Sequence, residues 1–196
     1  MDNAIILNEA AFFAVKCHNG QVRKGGDIPY CVHPLRVGMI LSSHGATFSE
    51  IMCGLWHDIL EDCPWCREDL EDELESYGIG RKEEIITILD SLCKPPSEIG
   101  NRDVRNAIFR AKVIAAGDSS IFVKICDRID NVMDSDGLGD MSELYVVHET
   151  GYIIDGFLSL DKNGHRWSDA LKTLIKVRKD KMKEHGWKEE ACRNPL

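Results

Sequence analysis

Amphipathic helical patterns follow one another along almost the whole chain, and this feature limits the fold more than any other. Apolar residues recur every three or four positions, as on the buried face of an α-helix. The clearest stripe is formed by Ile85, Ile88, Leu89 and Leu92, and only residues 120–125 resemble a strand before they continue into a helical pattern. The sequence therefore predicts an all-α fold, with helices over about residues 3–19, 33–43, 47–62, 68–77, 83–93, 102–116, 119–133, 141–160 and 165–185.

Local signals fix where several of these helices begin and end. Thr47 is followed three positions later by Glu50, which fits a capping box at a helix N-terminus. Pro64 predicts the end of the same helix. An earlier helix is signalled by Pro34, because proline is favoured at the first position of a helix. This helix is predicted to begin with His33 near its N-cap.

The chain has 196 residues, without an internal repeat, a low-complexity tract or a linker long enough to divide domains. A length of roughly 100–200 residues is typical of one domain. We therefore expect a single domain over residues 1–196, with C-terminal helices over about residues 141–185.

The charge is acidic overall and uneven along the chain. Lys and Arg number 24 and Asp and Glu number 33, which gives a net charge of −9. This balance argues against a broad surface for duplex nucleic acid. Residues 161–196 nevertheless hold ten Lys/Arg against six Asp/Glu. The amphipathic segment 162–188 fits either a helix for an anionic partner or membrane surface, or a terminal helix packed by its apolar stripe, which we favour.

No apolar run approaches the roughly 18–20 residues of a membrane span, and residues 1–3 carry no basic signal region. Eight cysteines sit mostly within helical patterns, and we interpret them as reduced thiols. Cys63 and Cys66 have the spacing of a metal or redox pair, which we interpret as a coincidence. These observations predict a cytoplasmic protein.

The segment 57–62, HDILED, is where the sequence most directly suggests chemistry. A helix turns about 100° per residue, so the four side chains His57, Asp58, Glu61 and Asp62 share an arc of about 140°. So many titratable groups on a largely buried helix require a positive charge among them. A divalent metal meets this need, whereas the alternative is a solvated acidic helix end. Imidazole with carboxylate ligands suits Mn²⁺, Fe²⁺, Zn²⁺ or Co²⁺.

Two other segments offer further ligands. His33 follows a glycine-rich loop, and Asp127 lies in a segment where Lys124, Arg128 and Asn131 share its helical face. Each has a plainer interpretation when it is taken alone. His33 could be a core or cap histidine, and Asp127 with Arg128 could be a surface ion pair.

Taken together and in order, these segments resemble a known family. The succession of a histidine, a His-Asp pair and a later aspartate is the signature of the HD phosphohydrolase superfamily. More narrowly, the chain is similar to RelA/SpoT-type alarmone hydrolases, in particular the small stand-alone ones. The resemblance covers about residues 8–134 and is carried by residues 20–35 (GQVRKGGDIPYCVHPL), 57–62 (HDILED) and 123–131 (VKICDRIDN).

The resemblance implies an HD-domain helical bundle with one bound metal, most simply Mn²⁺. It implies that His33, His57, Asp58 and Asp127 hold this metal. It also implies that Glu61 and Asp62 handle the water nucleophile, and which of the two is the base stays open at this point.

The resemblance further implies a small nucleotide as the substrate. Arg23 and Lys24 lie beside the nucleotide in the family, and Asn131 contacts the ribose. Lys94 corresponds to a family lysine near the phosphates, and Lys124 and Arg128 are expected in the same binding site. A homo-oligomer is compatible with the resemblance.

The implied activity is metal-dependent removal of the 3′-diphosphate from guanosine tetra- or pentaphosphate, the alarmones of the stringent response. One alternative is an HD-fold phosphohydrolase that acts on another nucleotide or a phosphorylated cofactor. A third is a non-catalytic nucleotide-binding module, which the presence of Glu61 and Asp62 disfavours. Two departures affect the substrate more than the metal. Met133 replaces a usual arginine, and Asp130 stands where larger or neutral residues are common.

Overall fold

A computed structural model of the chain describes residues 2–65, 67–161 and 164–188. Within these residues the all-α prediction is confirmed, since the structure contains helices, no strand and a single isolated β-bridge. Short 3₁₀-helices occupy Ser97–Ile99 and Ser135–Met141, and a π-helix at Leu144–Glu149 runs directly into α9. The α-helices are α1 Asn3–Cys17, α2 Val32–Ser43, α3 Phe48–Trp56, α4 Ile59–Asp62, α5 Arg67–Ser76, α6 Lys82–Leu92, α7 Arg102–Ala116, α8 Asp118–Met133, α9 Thr150–Leu158 and α10 Ser168–His185.

The segment over residues 47–62, expected to form one helix, is divided into α3 and α4. Its capping box is confirmed, because Thr47 accepts from the backbone N–H of Glu50 and Glu50 accepts from that of Thr47. The helix then breaks after Trp56, so the prediction of one helix to Asp62 is wrong. At the break the His57 ring donates to the carbonyl of Gly54 at 2.9 Å, and the backbone of Asp58 moves towards the bridge region at φ −97° and ψ −5°.

Helix α8 lies at the centre of the structure and packs against α2, α3, α6, α7 and α10. Its side chains Phe122, Val123 and Ile125 are buried, as is Trp56 on α3, whose indole N–H donates to the carbonyl of Ala10 at 3.0 Å. The burial of one face of α8 against several helices holds its other polar face at a fixed position inside the protein. That polar face forms one wall of the site described below.

Helix α10 of the basic C-terminal segment packs by its apolar stripe against the rest of the protein, which is the interpretation that we favoured from the sequence. Leu171, Leu174 and Met182 of α10 are buried, and α10 packs against α8. Arg178 is also buried and donates to the carbonyls of Val146 and Val147 in the π-helix, at 3.0 and 2.8 Å. A π-helix displaces regular backbone bonds, so this arginine stabilises an irregular element.

Six of the cysteines are free thiols in the structure, namely Cys17, Cys31, Cys53, Cys63, Cys93 and Cys126. Cys66 and Cys192 lie outside the described residues. A membrane-crossing helix is also absent from the described ranges, since none there is both long and apolar enough.

The loop between α1 and α2 lies against the 3₁₀-helix that follows α8. Gly25 adopts a φ of +81°, a conformation that favours glycine. A Cβ atom on Gly137 would overlap the carbonyl oxygen of Lys24. The two backbones therefore meet directly, and this contact sets the height of Arg23 and Lys24 above the site.

Candidate active site

Four side chains from three parts of the chain converge on one point. His33 comes from the first turn of α2, His57 and Asp58 from the break between α3 and α4, and Asp127 from the middle of α8. The Nε2 atoms of the two histidines are 3.2 Å apart. His33 Nε2 lies 3.1 Å from Asp127 Oδ1 and 3.5 Å from Asp58 Oδ2. His57 Nε2 lies 3.0 Å from Asp58 Oδ2 and 3.5 Å from Asp127 Oδ1.

The outer nitrogen of each imidazole is already engaged. His33 Nδ1 lies 2.7 Å from Asp130 Oδ2, and His57 Nδ1 lies 2.9 Å from the carbonyl oxygen of Gly54. Both partners are hydrogen-bond acceptors, so each ring carries a hydrogen on Nδ1 and, in its neutral form, turns the Nε2 lone pair inward. The two Nε2 atoms and a carboxylate oxygen of Asp58 lie close enough together to hold a divalent metal ion, and Asp127 Oδ1 lies beside both imidazoles as a further oxygen donor.

The electrostatics of the cluster also favours a positive charge at its centre. Burial alone would lower the pKa of His57, but Asp58 and Asp127 outweigh it and raise this pKa to about 10. Burial would raise the pKa of Asp58, and the neighbouring His57 and His33 instead hold it below its usual value. The site therefore draws protons onto its imidazoles, and a metal cation supplies the same charge from the centre.

Asp127 is supported from its own helix. Lys124 Nζ lies 2.5 Å from Asp127 Oδ2, and the amide of Asn131 donates to Asp127 Oδ1. These residues are three and four positions away, so they lie on the same face of α8, as the sequence predicted.

Glu61 and Asp62 are both on α4 but make different contacts. Glu61 pairs with Lys94, whose Nζ lies 2.9 Å from Glu61 Oε1. Asp62 accepts from the hydroxyl of Tyr30 at 3.2 Å, and the same hydroxyl lies 2.7 Å from Asp58 Oδ2. The neighbouring carboxylates of Asp58 and Glu61, together with partial burial, raise the pKa of Asp62. Asp62 is therefore linked to the metal cluster through one hydroxyl group, whereas Glu61 turns to a lysine.

A cationic wall lies beside the cluster. Arg128 is buried, and its guanidinium lies 4.4 Å from the ring of Tyr145. Its Nε and Nη1 atoms have no hydrogen-bond partner among the described residues. Burial and the nearby Arg128 and Lys94 lower the pKa of Lys124 despite its contact with Asp127. Lys124 and Lys94 have carboxylate partners, whereas Arg128 adds a positive charge with two nitrogen atoms free to bind an anionic group.

Arg23 lies on the opposite side and is already paired. Its Nε atom lies 2.8 Å from Asp134 Oδ2, and its Nη2 atom lies 3.0 Å from Asn131 Oδ1. Lys24 beside it is exposed. The charge of the guanidinium is largely balanced here, so this side differs from the cationic wall.

All twelve residues singled out from the sequence line one cleft of about 2340 Å³. Tyr145, His148 and Tyr152 line it as well. Tyr30 and Asp130 were missed as partners of the cluster. A weak signal existed for both, because Tyr30 precedes His33 by three positions and Asp130 follows Asp127 by three positions.

Comparisons with known proteins give relatives but no match to a protein-family model. A GTP pyrophosphokinase of Myxococcus xanthus is 30% identical over 152 residues, which are 74% of this chain and 19% of that protein. The bifunctional (p)ppGpp synthase/hydrolase SpoT of Escherichia coli K12 is 27% identical over 146 residues, 74% of this chain and 20% of that protein. The chain thus spans about a fifth of the length of the curated relatives it matches.

Solved structures share the fold. One is that of a metazoan SpoT ortholog described as hydrolysing ppGpp; its TM-score is 0.69 at 20% identity, over 88% of this chain and 95% of that one. Another, from Listeria monocytogenes EGD-e, has a TM-score of 0.55 at 18% identity, over 80% of this chain and 99% of that one. The chain has the helical fold of these two structures. Its histidine–aspartate cluster, together with the curated relatives, supports the class of HD-domain proteins. Within that class, the relatives place the chain with the RelA/SpoT-like type, as the three motifs predicted.

Proposed function

We propose that this protein is a metal-dependent phosphohydrolase that removes the 3′-diphosphate from guanosine tetra- and pentaphosphate. The observation that carries the proposal is the convergence of His33, His57, Asp58 and Asp127 beside a cationic wall in one cleft. The relatives support it, since one from Escherichia coli O157:H7 is a guanosine-3′,5′-bis(diphosphate) 3′-pyrophosphohydrolase, 27% identical over 146 residues.

The proposed metal is Mn²⁺, held by the inward Nε2 atoms of His33 and His57 and by Asp58 and Asp127. This mixed nitrogen and oxygen donor set suits Mn²⁺ better than Mg²⁺, which prefers oxygen ligands. A divalent ion bound there would lower the pKa of a water molecule and make hydroxide available near neutral pH.

Asp62 is the proposed general base. It shares the Tyr30 hydroxyl with Asp58, so it lies next to the cluster, and its pKa is raised towards the range useful for proton transfer. Glu61 is proposed to orient Lys94 through their ion pair. In this arrangement one carboxylate takes the proton of the attacking water and the other places a cation at the phosphate.

The substrate is proposed to lie across the cleft with its phosphates towards Lys94, Lys124 and Arg128. Guanidinium and ammonium groups bind phosphate oxygens with charge-assisted hydrogen bonds. The nucleoside then faces Arg23, Lys24 and Asn131, where the charge is more nearly balanced.

A second candidate keeps the chemistry and changes the substrate to another nucleotide or a phosphorylated cofactor. The pairing of Arg23 with Asp134 favours it, because this wall offers less free positive charge. Met133, where the family usually has arginine, is 57% exposed at the end of α8 and adds none.

The deciding experiment measures pyrophosphate release from guanosine tetraphosphate with added Mn²⁺, after chelation, and with the His57→Ala variant. We expect metal-dependent release from the natural sequence and none from the variant. Circular dichroism on the variant checks that its fold is intact. No release of pyrophosphate, together with metal-dependent cleavage of another nucleotide, would replace the first substrate by the second candidate.

We also keep three expectations about the protein as a whole. The free thiols support a cytoplasmic location, since disulfides form mainly in oxidising compartments. The single domain over residues 1–196 and a homo-oligomer remain proposals, which limited proteolysis and light scattering can test.

A further inference from the structure

Asp130 is a buried carboxylate that the proposed reaction does not use directly. It lies on α8 three residues after Asp127, and only 1% of it is exposed. Its Oδ2 atom lies 2.7 Å from His33 Nδ1. One helical face therefore supplies both a proposed metal ligand and the partner of another proposed ligand.

Two arginines provide the balancing charge for this carboxylate. Arg36 Nη1 lies 3.5 Å from Asp130 Oδ1, and Arg23 Nη2 lies 3.9 Å from Asp130 Oδ2. The Oδ1 atom has no hydrogen-bond partner among the described residues. A buried carboxylate without a full set of hydrogen bonds is unfavourable for stability alone. The close contact of Asp130 with His33 indicates that this carboxylate supports the histidine.

The two histidines of the cluster are supported differently. His57 donates its outer proton to a neutral backbone carbonyl, that of Gly54. His33 donates to a carboxylate, which fixes the ring more firmly and makes its inner nitrogen a stronger donor. This difference is made by the side chain of Asp130 rather than by the backbone.

We propose that Asp130 is a positioning residue for His33, which holds the Nδ1–H tautomer and strengthens Nε2 as a ligand for a divalent cation. This inference rests on the metal centre of the proposed function. Because Asp130 also lies near Arg23, the same carboxylate connects the nucleoside side of the cleft with the metal centre.

Calorimetric titration of the chelator-treated protein with Mn²⁺ tests the inference without any measurement of turnover. We expect Asp130→Ala to weaken Mn²⁺ binding about 10–100-fold, as for other residues that support metal ligands. Asp130→Asn can still accept from Nδ1–H but carries no charge, so it should weaken binding by less. Asp134→Asn is the matched control, because Asp134 belongs to the same arginine network and does not contact His33; its Mn²⁺ affinity should stay unchanged.

Nitrogen NMR of the histidine rings gives an independent measurement, recorded on the metal-free protein at alkaline pH, where both imidazoles are neutral. We expect Asp130→Ala to lose the Nδ1–H preference of His33 and to leave His57 unchanged. Asp130→Asn should keep that preference, and it remains informative if the alanine variant fails to fold.

The outcomes separate the inference from the proposed function. Mn²⁺ binding by Asp130→Asn at the affinity of the natural sequence would overturn the inference and leave the metal centre intact. The inference would also be overturned if Asp130→Asn bound Mn²⁺ as weakly as Asp130→Ala does, because the hydrogen bond to His33 would then have no role. Absence of Mn²⁺ binding to the natural sequence itself would instead overturn the metal centre of the proposed function.

Discussion

At the scale of single residues, what matters is how many partners each polar atom of the cleft already has. Asp127 uses one carboxylate oxygen for Lys124 and turns the other towards the cluster and Asn131. Arg128, by contrast, leaves two buried nitrogen atoms without partners. A satisfied polar group stabilises its surroundings, whereas an unsatisfied one is poised for a ligand and reduces stability. The first prediction at this scale follows from this contrast.

Replacement of Arg128 by methionine should stabilise the protein and weaken substrate binding. Burial of an unpaired guanidinium is unfavourable, and a methionine of similar length fills the space next to Tyr145. We expect a higher Tm in the absence of nucleotide, and a KM about 10–100-fold higher, as expected for loss of a charged hydrogen bond of roughly 1.5–3 kcal/mol. Arg128→Lys is the matched control and should retain more of the affinity. A lower Tm for the methionine variant would contradict the unpaired state of Arg128.

Substitutions of the two carboxylates of α4, Asp62 and Glu61, should change different kinetic constants. Asp62→Asn should lower kcat by about 10²–10⁴-fold, the usual contribution of a general base. Glu61→Gln should act mainly on KM, because it releases Lys94. Steady-state kinetics with both variants, alongside Mn²⁺ titration, distinguishes the roles. A larger loss of kcat for Glu61→Gln than for Asp62→Asn would reverse the assignment.

At the scale of helices and loops, side chains that bridge elements hold the site in place. Glu50 caps α3, accepts from Ser119 of α8 at 3.0 Å and pairs with Arg166 at 2.8 Å. It thereby joins three elements around the core. The contact between the backbones at Gly25 and Gly137 similarly fixes the loop that carries Arg23.

The contribution of Glu50 should depend on pH. Burial would raise its pKa, but hydrogen bonds from Thr47, Ser119 and Arg166 outweigh it, so the pKa is lowered on folding. A group with a lowered pKa stabilises the fold above its unfolded pKa of about 4.3, and this contribution is lost as the pH falls. Glu50→Gln should therefore lower the free energy of unfolding by about 1–3 kcal/mol near pH 7, with a smaller difference in acid.

Urea unfolding of both proteins across this pH range measures the effect. Glu84→Gln is a suitable control, since Glu84 is 44% exposed and pairs only loosely with Arg81 at 3.7 Å. A loss of stability for Glu50→Gln that is equal at pH 7 and in acid would show that ionisation of Glu50 is not the cause.

The loop contact predicts a selective effect on substrate binding. Gly137→Ala places a methyl group against the carbonyl of Lys24, so the loop must move away from the cleft. We expect a higher KM with little change in Mn²⁺ affinity. Gly26→Ala, whose Cβ would have only an ordinary contact at 4.0 Å, should change neither. Equal kinetics for the two variants would contradict a role of the contact in substrate binding.

The sequence predicted best what a single helix determines. The spacing of Lys124, Asp127 and Asn131 placed them on one face because helical geometry fixes that face. The break at His57 escaped prediction, since the ring bonds back to Gly54 in a way that an apolar pattern does not encode. The partnership of Asp130 with His33 joins two helices, and periodicity within one segment carries no information about such a contact.

At the scale of the whole molecule, the proposed ligands tie α2, the α3–α4 break and α8 together. A metal that binds only the folded state stabilises it, by about 2.7 kcal/mol at a concentration 100 times the Kd. For a protein of this size, each kcal/mol shifts the Tm by roughly 2–4 °C.

Thermal unfolding should therefore respond to the metal. We expect the Tm of the natural sequence to rise with Mn²⁺ concentration and to fall after chelation. The Tm of His57→Ala should not change with Mn²⁺. Guanosine tetraphosphate added with a chelator should raise the Tm less than it does with Mn²⁺. A Tm of the natural sequence that does not change with Mn²⁺ would contradict the metal centre.

The position of Asp127 on the central helix has a consequence for biosynthesis. A nascent chain that has emerged only as far as α7 carries His33, His57 and Asp58 but no α8 to complete the set. Ordering of the distant segments precedes tight coordination, because a preformed site rarely exists in an unfolded chain. Loading of the proposed metal is therefore expected only after α8 has emerged, and a retained ion would report that α8 has docked correctly among its neighbours.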